Sequence, residues 1–394
     1  MATLIEIVDL VTNFYTYEGV VKALNKVSLK IDHGCTFGLV GESGCGKSVT
    51  ARSMLRLVPE PGRIEGGKIY FNPKDGVDQT VLDLMEQSEA YMEDLRGNQI
   101  SMIFQEPNTA LNPIMSIGEQ VAESYLFHRK NDLCKGILAK IDSPHCTFLF
   151  PIRQYLQFVY RIAVQNQNSI ILKVLGKVPA LKFWKRLLRR EAIQQSVRLL
   201  ARLGISNPDE VVKQHPHNLS GGMKQRIVIA IALACHPLLL IADEATSNLD
   251  VTIQAQILEL LKELKKEEIS AVLLITHDLG IVAETCDRVG VMYAGNLCEV
   301  ADSRDLFENP KHPYTRALLD SVPKYSQAGE LKSIEGNVPN LVNPPAGCRF
   351  HPRCQHAMDI CQQAFPAMKE VNENHLVACY WVEQNGKDNR AKRS

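Results

Sequence analysis

The octapeptide GESGCGKS, residues 41–48, follows directly on the run TFGLV, and no other junction limits the fold so tightly. A short, nearly all-apolar run ending in glycine reads as a strand buried on both faces. A glycine-rich turn ending in Lys-Ser, between such a strand and a helix, is a phosphate loop. Gly41, Gly44 and Gly46 let successive backbone N–H groups curl around an anion. Lys47 reaches the β- and γ-phosphates of a nucleotide, and Ser48 is placed to hold Mg²⁺. Strand, loop and helix in that order demand an α/β domain whose ligand sits at the carboxyl ends of its strands.

Two further runs fit that demand. PLLLIADE and AVLLITHD read as buried strands separated by the helical stretch TIQAQILELLKELKKEE. Asp243 ends the first, where it can join Ser48 in the Mg²⁺ shell, and Glu244 follows, placed to orient and deprotonate an attacking water. His277 ends the second and can bond the γ-phosphate and hold that water with Glu244. Gln105, after the strand-like QISMIF, can touch both Mg²⁺ and water. NLSGGMKQR, residues 218–226, opens a second anion-seeking helix: Ser220 precedes Gly221 and Gly222 and a helix-compatible apolar run.

These motifs, in this order, resemble the nucleotide-binding subunit of an ABC transporter. The resemblance implies a P-loop NTPase fold: a RecA-like α/β core, an antiparallel β subdomain and a helical subdomain that carries LSGGMKQR as the family signature. It implies that two subunits pack head to tail, so that Ser220, Gly221 and Gly222 meet the γ-phosphate of ATP held by the other chain. Gly41, Glu42, Ser43, Gly44, Cys45, Gly46, Lys47, Ser48 and Val49 would wrap the phosphates; Gln105 and Asp243 would complete the Mg²⁺ site with Ser48; Glu244, His277, Gln105 and Lys47 would be catalytic. SNLD, residues 247–250, matches the loop that crosses the interface, with Asp250 at its end. Ala245 stands where the family usually has proline and Asn248 where alanine is common, neither being a catalytic position. The family stacks adenine on an aromatic ring; NFYTYEG offers Phe14, Tyr15 and Tyr17, and counting back from the phosphate loop favours Phe14.

The tail narrows the resemblance. Cys348, Cys354, Cys361 and Cys379 are spaced C-x5-C-x6-C-x17-C, four soft ligands in one short segment without the C-x2-C knuckles of structural zinc. The segment resembles the C-terminal extension of dipeptide/oligopeptide transporter ATPases, as does NPKHPYTRALLDSVP before it. That resemblance implies a [4Fe–4S] cluster, with zinc as the chemical rival, and an importer in which this chain works with a second ATPase subunit, two membrane-spanning permeases and an extracellular substrate-binding protein. It places the chain at the cytoplasmic face of the membrane, held there through its partners. Relatives of this layout carry peptides, oligosaccharides or nickel. A soluble ABC ATPase acting on nucleic acid or ribosomes, and a redox-sensing regulator, are the other readings; the single phosphate loop, the single signature and the tail speak against the first.

Composition adds one asymmetry. Formal net charge over the 394 residues is zero, which gives no argument for nucleic acid. Residues 129–190, however, hold 13 Lys or Arg against Asp132 and Asp142 alone. This stretch extends a link that is short in the family. Arg153, Gln157 and Arg161 fall on one stripe of a helix otherwise covered by Ile152, Tyr155, Leu156, Phe158, Val159 and Ile162. Such a helix suits an anionic membrane surface, the transmembrane partners, or packing on its own domain. No run of about 18 uncharged apolar residues is present, and MATLIEIVDL lacks the pattern of a signal peptide. The expected organisation is a nucleotide-binding domain at 1–300, with a helical subdomain at about 106–224 and the basic insertion at about 129–190; then a linker at 301–345, a cysteine-cluster domain at 346–382 and a disordered tail at 383–394.

Overall fold

The computed structural model describes residues 2–73, 81–144, 148–166, 169–175, 178, 181–245, 251–267, 269–321 and 334–391. The chain divides into two compact units, one of residues 1–96, 238–247 and 261–394, the other of 97–237 and 248–260. Asp250 and Asn248 lie outside the described residues.

The first unit contains two sheets. The strands β1 (Thr3–Thr16), β2 (Gly19–Asp32), β4 (Gly62–Phe71) and β5 (Leu82–Asp83) form an antiparallel sheet in the order β2-β1-β4-β5. The half-buried alternation of LIEIVDL and VKALNKVSLKI produces it: Ile5, Ile7, Leu24, Leu29 and Ile31 point inward while polar neighbours stay out. The second sheet has a parallel centre made of β3 (Thr36–Val40), β7 (Leu239–Asp243), β8 (Ala271–Ile275) and β9 (Arg288–Tyr293). Every residue of β3, β7 and β8 is buried, as their continuous apolar runs require. The order within this unit runs β11-β12-β10-β9-β3-β8-β7, where β10 is Asn296–Asp302, β11 Lys369–Asn372 and β12 His375–Val377.

That order corrects the domain boundaries read from the sequence. The cysteine-rich segment is no separate body: β12 pairs with β10, Glu299 opposite Val377, and extends the nucleotide-binding sheet. The expected linker is structured at its start, with helices Ser303–Glu308 and Pro313–Asp320 and fully buried Tyr314. The expected disordered tail carries a helix, Tyr380–Ala391, over most of its length. Glu299 explains much of this. Its buried carboxylate accepts from the backbone N–H groups of Lys311 and His312 and lies 2.7 Å from His375 Nε2, so linker, sheet and tail converge on one charge. A buried carboxylate needs such partners, and those bonds hold it below its ordinary range against the opposing effect of burial.

The second unit opens with β6 (Ile100–Ile103) and is otherwise helical. Within it the basic insertion contributes most of a core that it shares with Ala122, Tyr125 and Leu126 of the preceding helix, Ile117–His128. Helices Lys130–Asp142, Phe150–Gln165 and Phe183–Arg202 bury Cys134, Ile137, Leu156, Val159, Tyr160 and Trp184 together. The Tyr160 hydroxyl donates to the Trp184 carbonyl at 2.7 Å, which satisfies that buried hydroxyl. The cationic stripe read from the sequence divides. Arg153 donates to the carbonyl of Asp142 and Gln157 to its carboxylate, so both close the end of the preceding helix; Arg161 is exposed. No helix among the described residues is long and apolar enough to cross a membrane.

Candidate functional site

The phosphate loop is held by steric necessity at two glycines. Gly41 has φ +149° and a Cβ there would meet the Met292 carbonyl oxygen at 2.1 Å; Gly46 has φ +104° and would meet Leu24 at 2.7 Å and the Ala23 carbonyl at 2.9 Å. Any L-residue is excluded on both counts. The loop ends in the helix Lys47–Met54, as the motif predicts. Lys47 is buried, and its ammonium donates to the carbonyls of Gly41 (2.8 Å) and Glu42 (3.1 Å), spanning the mouth of the loop.

The expected Mg²⁺ ligands of this unit meet. Ser48 Oγ donates to Asp243 Oδ1 at 2.8 Å, joining the loop to the end of β7. Asp243 is buried, which raises its pKa, while the Ser48 hydrogen bond and the Arg52 charge pull the other way. A hydroxyl and a buried carboxylate are hard oxygen donors suited to Mg²⁺, whose charge would favour the ionised form. Glu244, one residue on, has φ +48°, and its N–H donates to the Ile275 carbonyl at 2.9 Å. A non-glycine residue in the left-handed region costs of order 1–3 kcal/mol and such outliers gather at functional sites. The turn brings the Glu244 carboxylate to 3.5 Å from His277 Nδ1. Two residues that the sequence places 33 positions apart thus form one acid–imidazole pair at the sheet's carboxyl edge.

The antiparallel sheet lies beside the loop, since Ala23 and Leu24 of β2 abut Gly46. Of the three candidate rings, Phe14 is half-buried beside Gly62. Tyr15 bonds Glu65 and lies under Arg63, and Tyr17 is 98% exposed at the hairpin tip.

The second unit holds Gln105, just after β6, and the signature. Ser220 caps the helix Gly221–Leu233, its hydroxyl accepting from the Met223 N–H. A Cβ at Gly221 would meet open space, whereas one at Gly222 would meet Ile253 at 3.2 Å. A bare helix start with a glycine pair presents N–H groups to an anion.

Cys348, Cys354, Cys361 and Cys379 line one small cavity with His351 and His356. Burial pushes the Cys348 thiol up to about 12, with Cys361, Cys379 and Cys354 adding to it, and Cys379 up to about 11. Four converging thiols fit a soft metal group by chemistry. Among the described residues, however, no three His, Cys, Asp or Glu side chains are placed to hold a single metal ion.

Sequence reasoning missed the residues that tie this segment to the phosphate loop. Arg353, next to Cys354, forms a two-pronged ion pair with Glu42, and the Tyr314 hydroxyl accepts from the Glu42 N–H. Only the acid inside the loop and the arginine in FHPRC hinted at it, and they stand 311 positions apart.

The family model described as ABC transporter matches residues 24–247, and that described as the C-terminal region of oligopeptide/dipeptide transporters matches 298–361. The chain is 40% identical to the dipeptide transport ATP-binding protein DppD of Bacillus subtilis, over 98% of this chain and 96% of that one. It is 40% identical to the oligopeptide transport ATP-binding protein OppD of Salmonella typhimurium, over 96% and 93%. Among solved structures, the dimeric post-hydrolysis ATP-binding cassette MJ0796 with ADP and Pi superposes with TM-score 0.53 at 20% identity, covering 76% of this chain and 99% of that one, a likeness of fold.

Proposed function

The chain belongs to the ABC transporter family, with the C-terminal region of oligopeptide/dipeptide transporters, and on that premise we propose that it is the ATP-hydrolysing subunit of a peptide importer. The observation that carries the ATPase reading is the Ser48–Asp243 hydrogen bond, which joins the two motifs of the Mg²⁺ site, with the Glu244–His277 pair beside it. In the reaction the loop N–H groups and Lys47 bind the phosphates; Ser48, Asp243 and Gln105 would hold Mg²⁺, which would supply positive charge against the phosphates. Glu244 orients and deprotonates the attacking water, His277 steadies it, and Phe14 stacks on the adenine.

Ser220, Gly221 and Gly222 act on the nucleotide of a second ATPase subunit. Two permeases and an extracellular binding protein complete the importer, with this chain at the cytoplasmic face. Peptide cargo is supported by the relatives' names; oligosaccharide or nickel cargo uses the same machinery. The four tail cysteines would ligate a [4Fe–4S] cluster, a reading supported by their common cavity and soft donors; zinc, the rival, is less favoured because among the described residues no three ligands are placed for a single ion. Iron and sulfide analysis with a visible spectrum separates cluster, zinc and bare thiols.

The insertion turns an anionic-lipid surface outward. Nine of the twenty exposed large hydrophobic side chains among the described residues fall between Leu149 and Phe183, amid the basic excess. Aromatic and basic side chains mixed in this way suit an anionic headgroup layer.

The decisive experiment uses Glu244→Gln with saturating Mg-ATP, alone and with its companion ATPase. Trapping of a dimer, with phosphate release reduced at least about a hundredfold, is expected. A monomer under both conditions overturns the shared-site reading.

A further inference from the structure

We propose that Arg353 is a positioning residue of the phosphate loop, which neutralises Glu42 and turns it away from the nucleotide's phosphates. The proposal rests on the ATPase reading and goes beyond it, because no motif of the cassette contains this residue.

The loop carries an acid where an anion must bind. A free carboxylate at Glu42 would oppose a polyphosphate a few ångströms away, where Coulomb repulsion between unit charges is about 4 kcal/mol at an effective dielectric near 20. Arg353 removes that conflict. Its Nη1 donates to Glu42 Oε2 at 2.8 Å and its Nη2 to Oε1 at 3.2 Å, a fork-to-fork pair that fixes the plane of the carboxylate. The remaining donors are taken as well: Nη1 by the Tyr293 hydroxyl (3.2 Å), Nη2 by the Ile334 carbonyl (3.1 Å) and Nε by the Glu335 carbonyl (2.9 Å). All five guanidinium N–H groups are therefore satisfied, and the side chain is only 6% exposed. Lysine could reproduce the charge but not this geometry.

The backbone of Glu42 is fixed from both sides. Its N–H donates to the Tyr314 hydroxyl at 3.0 Å, and its carbonyl accepts from Lys47 at 3.1 Å. Tyr314 and Tyr293 pack ring to ring at 4.6 Å, and Phe350 closes on both at 5.3 and 5.1 Å. Phe350 also lines the cysteine cavity, and Arg353 precedes Cys354. The tail thus delivers a cation to the loop on a rigid aromatic base.

The test measures equilibrium affinity for a fluorescent ATP analogue, with thermal melting recorded for each variant. Wild type binds if the ATPase reading holds; absence of binding defeats that reading and not this one specifically. Given binding, Arg353→Met is expected to weaken affinity at least about tenfold, and Glu42→Gln added to it to restore affinity to within about threefold of wild type. Arg353→Lys, which keeps the charge and serves if the Met variant does not fold, is expected to lose about threefold. Unchanged affinity in the folded single variants overturns the proposal. So does a loss that Glu42→Gln leaves in place, since a merely structural arginine would not be relieved by neutralising the acid.

Discussion

The cysteine-rich tail and the basic insertion carry almost opposite physics. The tail buries two of its cations, Arg349 and Arg353, against its host unit, and its His375 bonds Glu299 of the sheet, while Asp359, Lys369, Glu370 and Glu373 stay exposed. It has little hydrophobic substance of its own, a cluster of Val377, Cys379 and Val382 with Trp381 and Val371 against it. The insertion buries a large apolar core, including Trp184 and Tyr160, and leaves its basic excess outside. A segment with its own core can be added to a domain as a unit, whereas one built on shared buried charges is inseparable from its host. That is why the tail extends the catalytic sheet, while the insertion packs around an apolar core that it shares with Ala122, Tyr125, Leu126 and Ala192 of the flanking helices.

Four experiments press on this contrast. The scale is set by the host site: Asp243→Asn removes the buried carboxylate that Ser48 bonds, and phosphate release is expected to fall about a hundred- to a thousandfold, with the protein still folded by circular dichroism. Next, Trp184→Ala empties the insertion core and is expected to cost about 3 kcal/mol. By calorimetry only the transition of the second unit should move, and ATP affinity should stay within about twofold; a change in affinity breaks the claim that this core is independent of the nucleotide site.

A smaller loss with wider consequences is expected in the tail. His375→Leu leaves the Glu299 charge short of one partner, costing about 2 kcal/mol in urea unfolding. Here ATP affinity should fall too, because β12 anchors the segment that carries Arg353. Unaltered ATP binding at equal loss of stability would separate tail from loop. The smallest effect on stability belongs to Phe150→Ser with Phe158→Ser, both rings being exposed: less than about 0.5 kcal/mol. Sedimentation with anionic vesicles should nonetheless fall several-fold relative to wild type, while zwitterionic vesicles bind neither protein. Equal sedimentation of both proteins removes the lipid surface.

Much of the nucleotide site was legible because its chemistry is local. Gly41, Lys47 and Ser48 lie within one loop, and Asp243, Glu244 and His277 sit at the ends of strands that announce themselves as unbroken apolar runs. The same locality misled at the insertion. Arg153 and Gln157 lie on one helical stripe with Arg161, yet the nearest helix end, at Asp142, takes the first two. Pro- and Asn-rich composition suggested a linker at 301–345, and polarity suggested a disordered end. Glu299 and the β10 edge offered partners that composition does not reveal.

Taken alone, the sequence determined that a strand, a glycine loop and a helix suited to phosphate follow one another here, since the apolar run TFGLV, the glycines and the Lys47–Ser48 pair are contiguous. It also determined that two later strands end in the acids and the imidazole this chemistry needs. Only the tertiary structure decided that the tail's arginine answers the loop's glutamate. Two charges 311 positions apart have no signature in spacing, and they meet because β12 adds to β10 and the aromatic rings of Tyr293, Tyr314 and Phe350 fix where Arg353 emerges.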